Sequence, residues 1–385
     1  MLAAGLGLGL NHGWRRPRLN WRTDLPLLAW LGWTALSATG TVNAEATRFE
    51  VLRLAVLALV YFLVAYGLEP QREQRLFAAA LVALAFADAL FGLAEFSLGR
   101  KLLDFAWLEL PHSHFRVSGT FRNPNHFAGL MAMTVFLAFG LAAAVRHRDE
   151  ARSEQIAQRL FLLLPGGLIA LALLLSLSRG GWASFLAGTV FFLVLLWWHS
   201  HPLWSRALIV ALVLAVLIAA VAIRTNRDPI LRRLQTLETF YQPSEEITLG
   251  GRLSIWKSSA AMIRDHPWTG VGWGAFGSAF PCYRRPDMLH GVDFAHNDYL
   301  QIAVETGVPG LFFFLLFLAA LFGNGLRVIR SRAADFWALA MPGILAGLFG
   351  LLVHELVDFN LLLPSNALVF FSLSALVSAR GNETR

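Results

Sequence analysis

Two arginines and a histidine stand out in an otherwise apolar chain as groups able to act on a charged substrate. Arg179 lies in Leu-Ser-Leu-Ser-Arg-Gly-Gly-Trp, between two apolar runs, and Arg252 follows Gly250-Gly251 at the start of a predicted helix near 251–265. A guanidinium offers a rigid fork of donors that fits two oxygens of a phosphate, and neighbouring glycines let a ligand approach the backbone. Both are candidate anion contacts. The plainer alternatives are an interfacial arginine that snorkels outward for Arg179 and a solvated arginine for Arg252. His296 lies in Phe294-Ala-His-Asn-Asp-Tyr-Leu-Gln301, where a long loop returns to the membrane. Imidazole titrates near the working pH and can act as a general base. The alternative is that His296 only flanks a helix capped by Asn297 or Asp298.

Two further clusters belong to the same side of the expected bundle. Ser118-Gly-Thr-Phe-Arg-Asn-Pro-Asn-His126 opens a span, and Arg122, Asn123 and Asn125 could hold a sugar or phosphate. With Pro124 near the first turn they could equally form an ordinary helix start. His354 and Asp358 are four apart and share a helix face, with Glu355 beside them. They are either a substrate contact or a structural polar pair. Gly270-Val-Gly-Trp-Gly-Ala-Phe-Gly277 has the look of a nucleotide loop, but no strand precedes it, so turns at the membrane surface are the better reading. No Walker A, His-Glu-x-x-His, Gly-x-Ser-x-Gly or Asp-x-Asp sequence occurs. An ATP- or zinc-driven enzyme is disfavoured, and neither cofactor nor metal is expected. The chemistry would use a substrate that arrives already activated.

These residues need elements to place them. Of 385 residues, 56% are hydrophobic and 15% charged, against roughly 25% charged in a soluble domain. A soluble enzyme and a disordered chain are excluded. Apolar runs near 24–40, 50–68, 76–97, 124–145, 160–178, 181–199, 206–223, 298–322, 335–356 and 360–379 predict about ten membrane helices. All the basic residues but Lys101 and Lys257 are arginine. Arg15, Arg16, Arg18, Arg22, Arg72, Arg75, Arg146, Arg148, Arg152, Arg159, Arg206, Arg327, Arg330, Arg332, Arg380 and Arg385 fall in alternate connections, which places that side in the cytoplasm. Net charge +7 therefore marks orientation and not nucleic-acid binding. A single cysteine, Cys282, permits no intramolecular disulfide. The expected organisation is membrane helices over 1–223, an external loop subdomain of short helices over 224–297 and membrane helices over 298–385. Asp88 and Glu95 in the third span are the main acidic residues within a span, fewer than a translocation path needs.

The ordered set of motifs resembles the O-antigen ligase/polymerase superfamily of envelope glycosyltransferases. The matching pieces are Gly119-Thr-Phe-Arg-Asn-Pro-Asn125, Ser178-Arg-Gly-Gly-Trp182, Gly251-Arg252 with Trp256, Pro267-Trp-Thr-Gly-Val-Gly272, His296-Asn-Asp-Tyr-Leu-Gln301 and His354-Glu-Leu-Val-Asp-Phe359. They are densest over about 165–320. The resemblance implies a multi-span all-α protein of the bacterial inner membrane, with its active site facing the periplasm. It also implies an undecaprenyl-pyrophosphate-linked glycan as donor, and lipid A–core, another glycan or a protein hydroxyl as acceptor. Carried over by position, Arg179 and Arg252 would contact the pyrophosphate and His296 would be the base, with Trp256 and Asn297 among the substrate contacts. A transporter of lipid-linked glycans is the alternative from another class.

Overall fold

The computed structural model describes residues 19–69, 72–99, 102, 116–145, 152–198, 249–285, 292–331 and 335–380. Among them there is no strand, and the chain is an all-α membrane bundle. In chain order the helices are α1 (Trp21–Ser37), α2 (Ala44–Phe62, prolonged by a π turn over Leu63–Gly67), α3 (Glu73–Leu98), α4 (Pro124–Ala144), α5 (Arg152–Leu175), α6 (Arg179–Trp198), α7 (Leu249–Asp265), α8 (Phe276–Ala279), α9 (Asp298–Arg330), α10 (Phe336–His354) and α11 (Pro364–Arg380). Seven of them, α2 to α6 with α9 and α10, are long and apolar enough to cross a membrane. The first and last predicted runs are also helices, but α1 and α11 have 17 residues each, short of the ~20 that a span needs. The predicted run 206–223 and the first part of the external loop lie outside the described residues.

Two helices form the axis of the bundle. The apolar windows of α4 and α10 are 94% and 83% buried, whereas those of α2, α3 and α5 are 33% buried and present Leu52, Val56, Leu76, Leu84 and Phe161 outward. Lipid tails are as apolar as leucine, so helices associate in a membrane by close packing of small residues. Gly140, Gly343 and Gly347 bring the α4 and α10 backbones together in this way.

From α2 to α6, and again from α9 to α11, successive helices alternate in direction, which gives the bundle two chemically distinct ends. At one end, arginines lie over aromatic rings: Arg75 over Phe336 at 4.1 Å, Arg330 over Trp198 at 4.6 Å and Arg380 over Trp337 at 4.7 Å. Arg159 also donates to the Val145 carbonyl there, at 3.0 Å. Those are arginines that the charge pattern assigned to one side. The other end carries the α5–α6 turn, the starts of α4 and α9 and the end of α10.

The external segment docks on a break in α9. Gly307 has φ 71°, a backbone shape that a side chain disfavours, and Pro309 cannot donate to the Glu305 carbonyl. The freed carbonyls are used by the glycine run: Val271 N–H donates to Val304 O at 2.9 Å and Gly272 N–H to Glu305 O at 3.0 Å. In return, Val308 N–H donates to Pro267 O at 2.8 Å. So Pro267-Trp-Thr-Gly-Val-Gly272 completes the hydrogen bonding of a kinked helix. Above it Ile255, Met262, Val271, Ala275, Phe276, Phe280 and Ala295 close a small core against Val304 of α9.

Candidate active site

Three chain segments of the site meet at one aromatic ring. Phe359, just beyond α10, takes the edge of His296 at 4.8 Å and the ring of His126 at 4.7 Å, and stacks on Phe294 at 4.4 Å. His126 sits in the first turn of α4. Asn123 caps that helix by accepting from Asn125 N–H at 2.9 Å, a role that satisfies a helix-start donor. Asn125 in turn accepts from Arg116 at 2.8 Å, and Arg116 donates to the Ser176 carbonyl at 2.7 Å. The start of α4 is thereby tied to the turn before α6. Arg122 is exposed beside this cap, and the described residues give it no link to the histidines.

The α5–α6 turn is tight, as its two glycines suggest. Ser178 accepts from Gly181 N–H at 3.1 Å, and Trp182 donates back to the Leu174 carbonyl at 3.0 Å. Arg179 is the first residue of α6 and is exposed. Gly180 lies flat against His354 of α10, so that a Cβ there would run into the imidazole. The Arg179 turn and the His354 face therefore share one wall.

His354 is 1% exposed and Asp358 2% exposed, and they face one another at 3.8 Å. The charges of Asp358, His126 and Arg252 all act on His354, and the same three act on His296. Arg252, in the first turn of α7, thus belongs to the cluster. Burial is the main cause that lowers the His296 pKa from 6.5 to about 4; Asp358 opposes it, and Arg252 and His126 add to it. A buried imidazole beside a guanidinium is easier to keep neutral.

Among the described residues several polar atoms here have no hydrogen-bond partner: Nδ1 of His296, both ring nitrogens of His354, Nε of Arg252 and Nδ2 of Asn360. Buried polar atoms are otherwise nearly always paired, so such a group of them calls for an explanation. Beneath them lies a carboxyl pair. Asp298 Oδ2 accepts from Leu361 N–H at 2.9 Å and Glu355 Oε2 from Asn360 N–H at 2.7 Å, and the two carboxyls are neighbours. Burial, and then the neighbouring Asp298, hold Glu355 well above the usual carboxylate range. Two adjacent carboxyls in such a place keep one proton between them.

The structure thus brings together His296, Arg252, His354 and Asp358, and sets Arg179 one residue from them. The positions of Trp256 and Asn297 have a structural content of their own. Trp256 donates to the Ala295 carbonyl at 3.0 Å, and Asn297 accepts from Leu300 N–H at 3.0 Å while donating to Leu356 O at 2.9 Å. Sequence reasoning left His126, Phe359 and Asn360 out of the site. Each lies within two residues of one that was chosen, Asn125 or Asp358, but nothing in the linear pattern says that the two segments touch.

The comparisons come to the same region. No curated protein matches the chain. A model of the O-antigen ligase family matches residues 164–315, a stretch that holds Arg179, Arg252, Trp256, His296 and Asn297. The resemblance to the O-antigen ligase superfamily is therefore borne out over residues 164–315.

Proposed function

We propose that this chain transfers a glycan from an undecaprenyl-diphosphate carrier to an acceptor hydroxyl at the periplasmic face of the inner membrane. The observation that carries the reading is the convergence of Arg252, His296 and His354 on the Asp358 carboxyl, with ring and guanidinium nitrogens that have no hydrogen-bond partner among the described residues. The cluster lies at the opposite end of the bundle from the arginine–aromatic rim. The positive-inside rule assigns that rim to the cytoplasm, which supports a periplasmic site.

In this reading His296 is neutral at pH 7, because its pKa is about 4, and it can accept the proton of the acceptor hydroxyl. The hydroxyl oxygen forms a bond to the anomeric carbon as the carbon–oxygen bond to the diphosphate breaks, and the leaving diphosphate takes the electron pair. Arg252 and Arg179 stabilise that developing charge; one such preorganised donor is typically worth about 3–4 kcal/mol. A single displacement inverts the anomeric centre. A diphosphate beside Arg252 also offsets the cation that depresses His296, so donor binding strengthens the base when it is needed. The arginines supply the positive charge, and the reading invokes no metal.

The ligase reading takes lipid A–core as acceptor, and polymerase and protein-glycosylating readings differ only in that acceptor. A transporter is less well supported. Asp88 accepts from Thr120 N–H at 2.8 Å and Glu95 from Leu102 N–H at 2.9 Å, so both acids of α3 hold the chain beyond it. The test is purified protein with polyprenyl-diphosphate glycan and each acceptor in turn, resolved by mass. Transfer is expected with one acceptor class. Transfer that persists in His296→Ala and Arg179→Ala proteins expressed at parental level would overturn the assignment.

A further inference from the structure

His296 has φ 50°, in the left-handed region that residues with a Cβ disfavour. Such a shape lasts only where its surroundings over-determine it. The residue before it, Ala295, is held through both its N–H and its carbonyl. Ala295 N–H donates to Gln301 Oε1 at 2.7 Å, and the Ala295 carbonyl accepts from Trp256 Nε1 at 3.0 Å. The residue after it, Asn297, is fixed by its own cap and by its bond to Leu356 O. One turn along α9, Gln301 Nε2 donates to Glu305 Oε1 at 2.8 Å. That bond sets which end of the Gln301 amide faces Ala295, because a carboxyl oxygen calls for the NH2 end. Glu305 also accepts from Phe276 N–H at 3.2 Å, in the external segment. Gln301 and Glu305 are each 1% exposed and lie behind the Ala295 peptide.

We propose that Gln301, oriented by Glu305, is a positioning residue: with Trp256 it clamps the Ala295 peptide and so aims the His296 imidazole into the site. This rests on the reading of His296 as the base, and it adds residues that act through His296 without touching substrate. A buried amide–carboxyl pair at this place has a use that an apolar pair lacks. It gives the strained peptide an acceptor in a fixed position, and it anchors the external segment and the histidine to the same turn of α9.

The test uses the full-length protein in detergent or nanodiscs with two readouts. One is glycan transfer. The other, made without substrate, is the rate of His296 modification by diethyl pyrocarbonate, read at the His296 peptide by mass spectrometry. In Gln301→Met the amide is lost at nearly constant volume. A fall in kcat of about tenfold or more is expected, with the donor KM changed less than about threefold and His296 modified about threefold faster, since small misplacements of a reacting group are costly. The double variant Gln301→Glu with Glu305→Gln rebuilds the chain with its donor and acceptor exchanged. It should return both readouts to within about threefold of the parent. Trp256→Phe removes only the second bond, serves if Gln301→Met fails to fold, and should shift both readouts in the same direction. Unchanged His296 reactivity in the single variants, or a folded exchange variant that stays as impaired as Gln301→Met, would overturn the clamp. If the parent protein transfers no glycan, the modification rates still decide the clamp, and the failure then belongs to the proposed reaction.

Discussion

At the arginine-rimmed end, Asp24 accepts from Tyr61 at 2.8 Å, from Ser378 at 3.2 Å and from Tyr66. Asn20 donates to the Ser378 carbonyl at 2.9 Å and takes the Tyr66 hydroxyl on its backbone N–H at 2.8 Å. Thr23 pairs with Ser378. None of these side chains has an unpartnered buried atom. At the opposite end, His296, His354, Arg252 and Asn360 are likewise drawn out of solvent, yet each keeps a polar atom with no partner among the described residues. An unmet buried donor or acceptor costs about 1–3 kcal/mol. The first cluster lowers the energy of the fold by joining α1, α2 and α11. The second raises it, and what it retains is capacity to bind something else. The difference separates a structural polar network from a candidate site more sharply than residue type does, since both clusters hold a carboxyl and an amide among their polar groups.

The comparison breaks most visibly at His296. His296→Ala is expected to lower kcat/KM for glycan transfer by about 10²–10⁴-fold, the usual contribution of a positioned base. Thermal stability should be nearly unchanged or raised, because an unpaired buried nitrogen is removed. A variant that loses stability in parallel with activity would move His296 into the structural class. Arg252→Ala should cost about 10²–10³-fold in kcat, as for loss of one donor to a developing charge. Arg252→Lys should recover only part of it, since an ammonium lacks the planar fork.

Gly180 tests the wall between the Arg179 turn and His354. A methyl group in Gly180→Ala would drive into the imidazole ring. Overpacking of this sort costs about 1–3 kcal/mol, and displacement of the ring should cost transfer about 10²-fold. Parental activity in that variant would show that His354 can move without consequence.

The helices were legible because hydropathy reports them directly: α9 was predicted over 298–322 and runs Asp298–Arg330, and α10 over 335–356 and runs Phe336–His354. Capping roles at Asn123 and Asn297 were legible too, as the alternatives to ligand binding. The break in α9 was not. Val271 and Gly272 lie in a separate segment from Pro309, and only folding brings their N–H groups to the freed carbonyls of Val304 and Glu305. The site was half legible for the same reason. Polar residues in an apolar chain announce themselves, as Arg179, Arg252 and His296 did. Phe359 did not, because one more phenylalanine among 30 has no signal until three rings are found against it.

The acid limb of the pH profile sharpens the comparison further. Protonated His296 cannot take a proton, so kcat/KM should be level above about pH 5 and fall about tenfold per unit below its pKa of about 4. Arg252 is one of the groups that depress that pKa. Removal of its charge raises the pKa, so the limb in Arg252→Ala should lie at higher pH than in the parent. A limb that does not move would mean that the two side chains do not share a site.

The smallest effect expected is at the satisfied end. Tyr61→Phe removes one hydroxyl donor and leaves Asp24 with Tyr66 and Ser378. A single buried hydrogen bond is worth about 0.5–1.5 kcal/mol, and the two remaining donors hold the loss within that range. The melting temperature of the purified protein should drop by a few degrees, while transfer per folded molecule, measured against active-site concentration, stays at the parental value. Loss of turnover with stability intact would be the opposite of what a closed network does. It would place the Asp24 cluster, despite its complete set of partners, within the working part of the molecule.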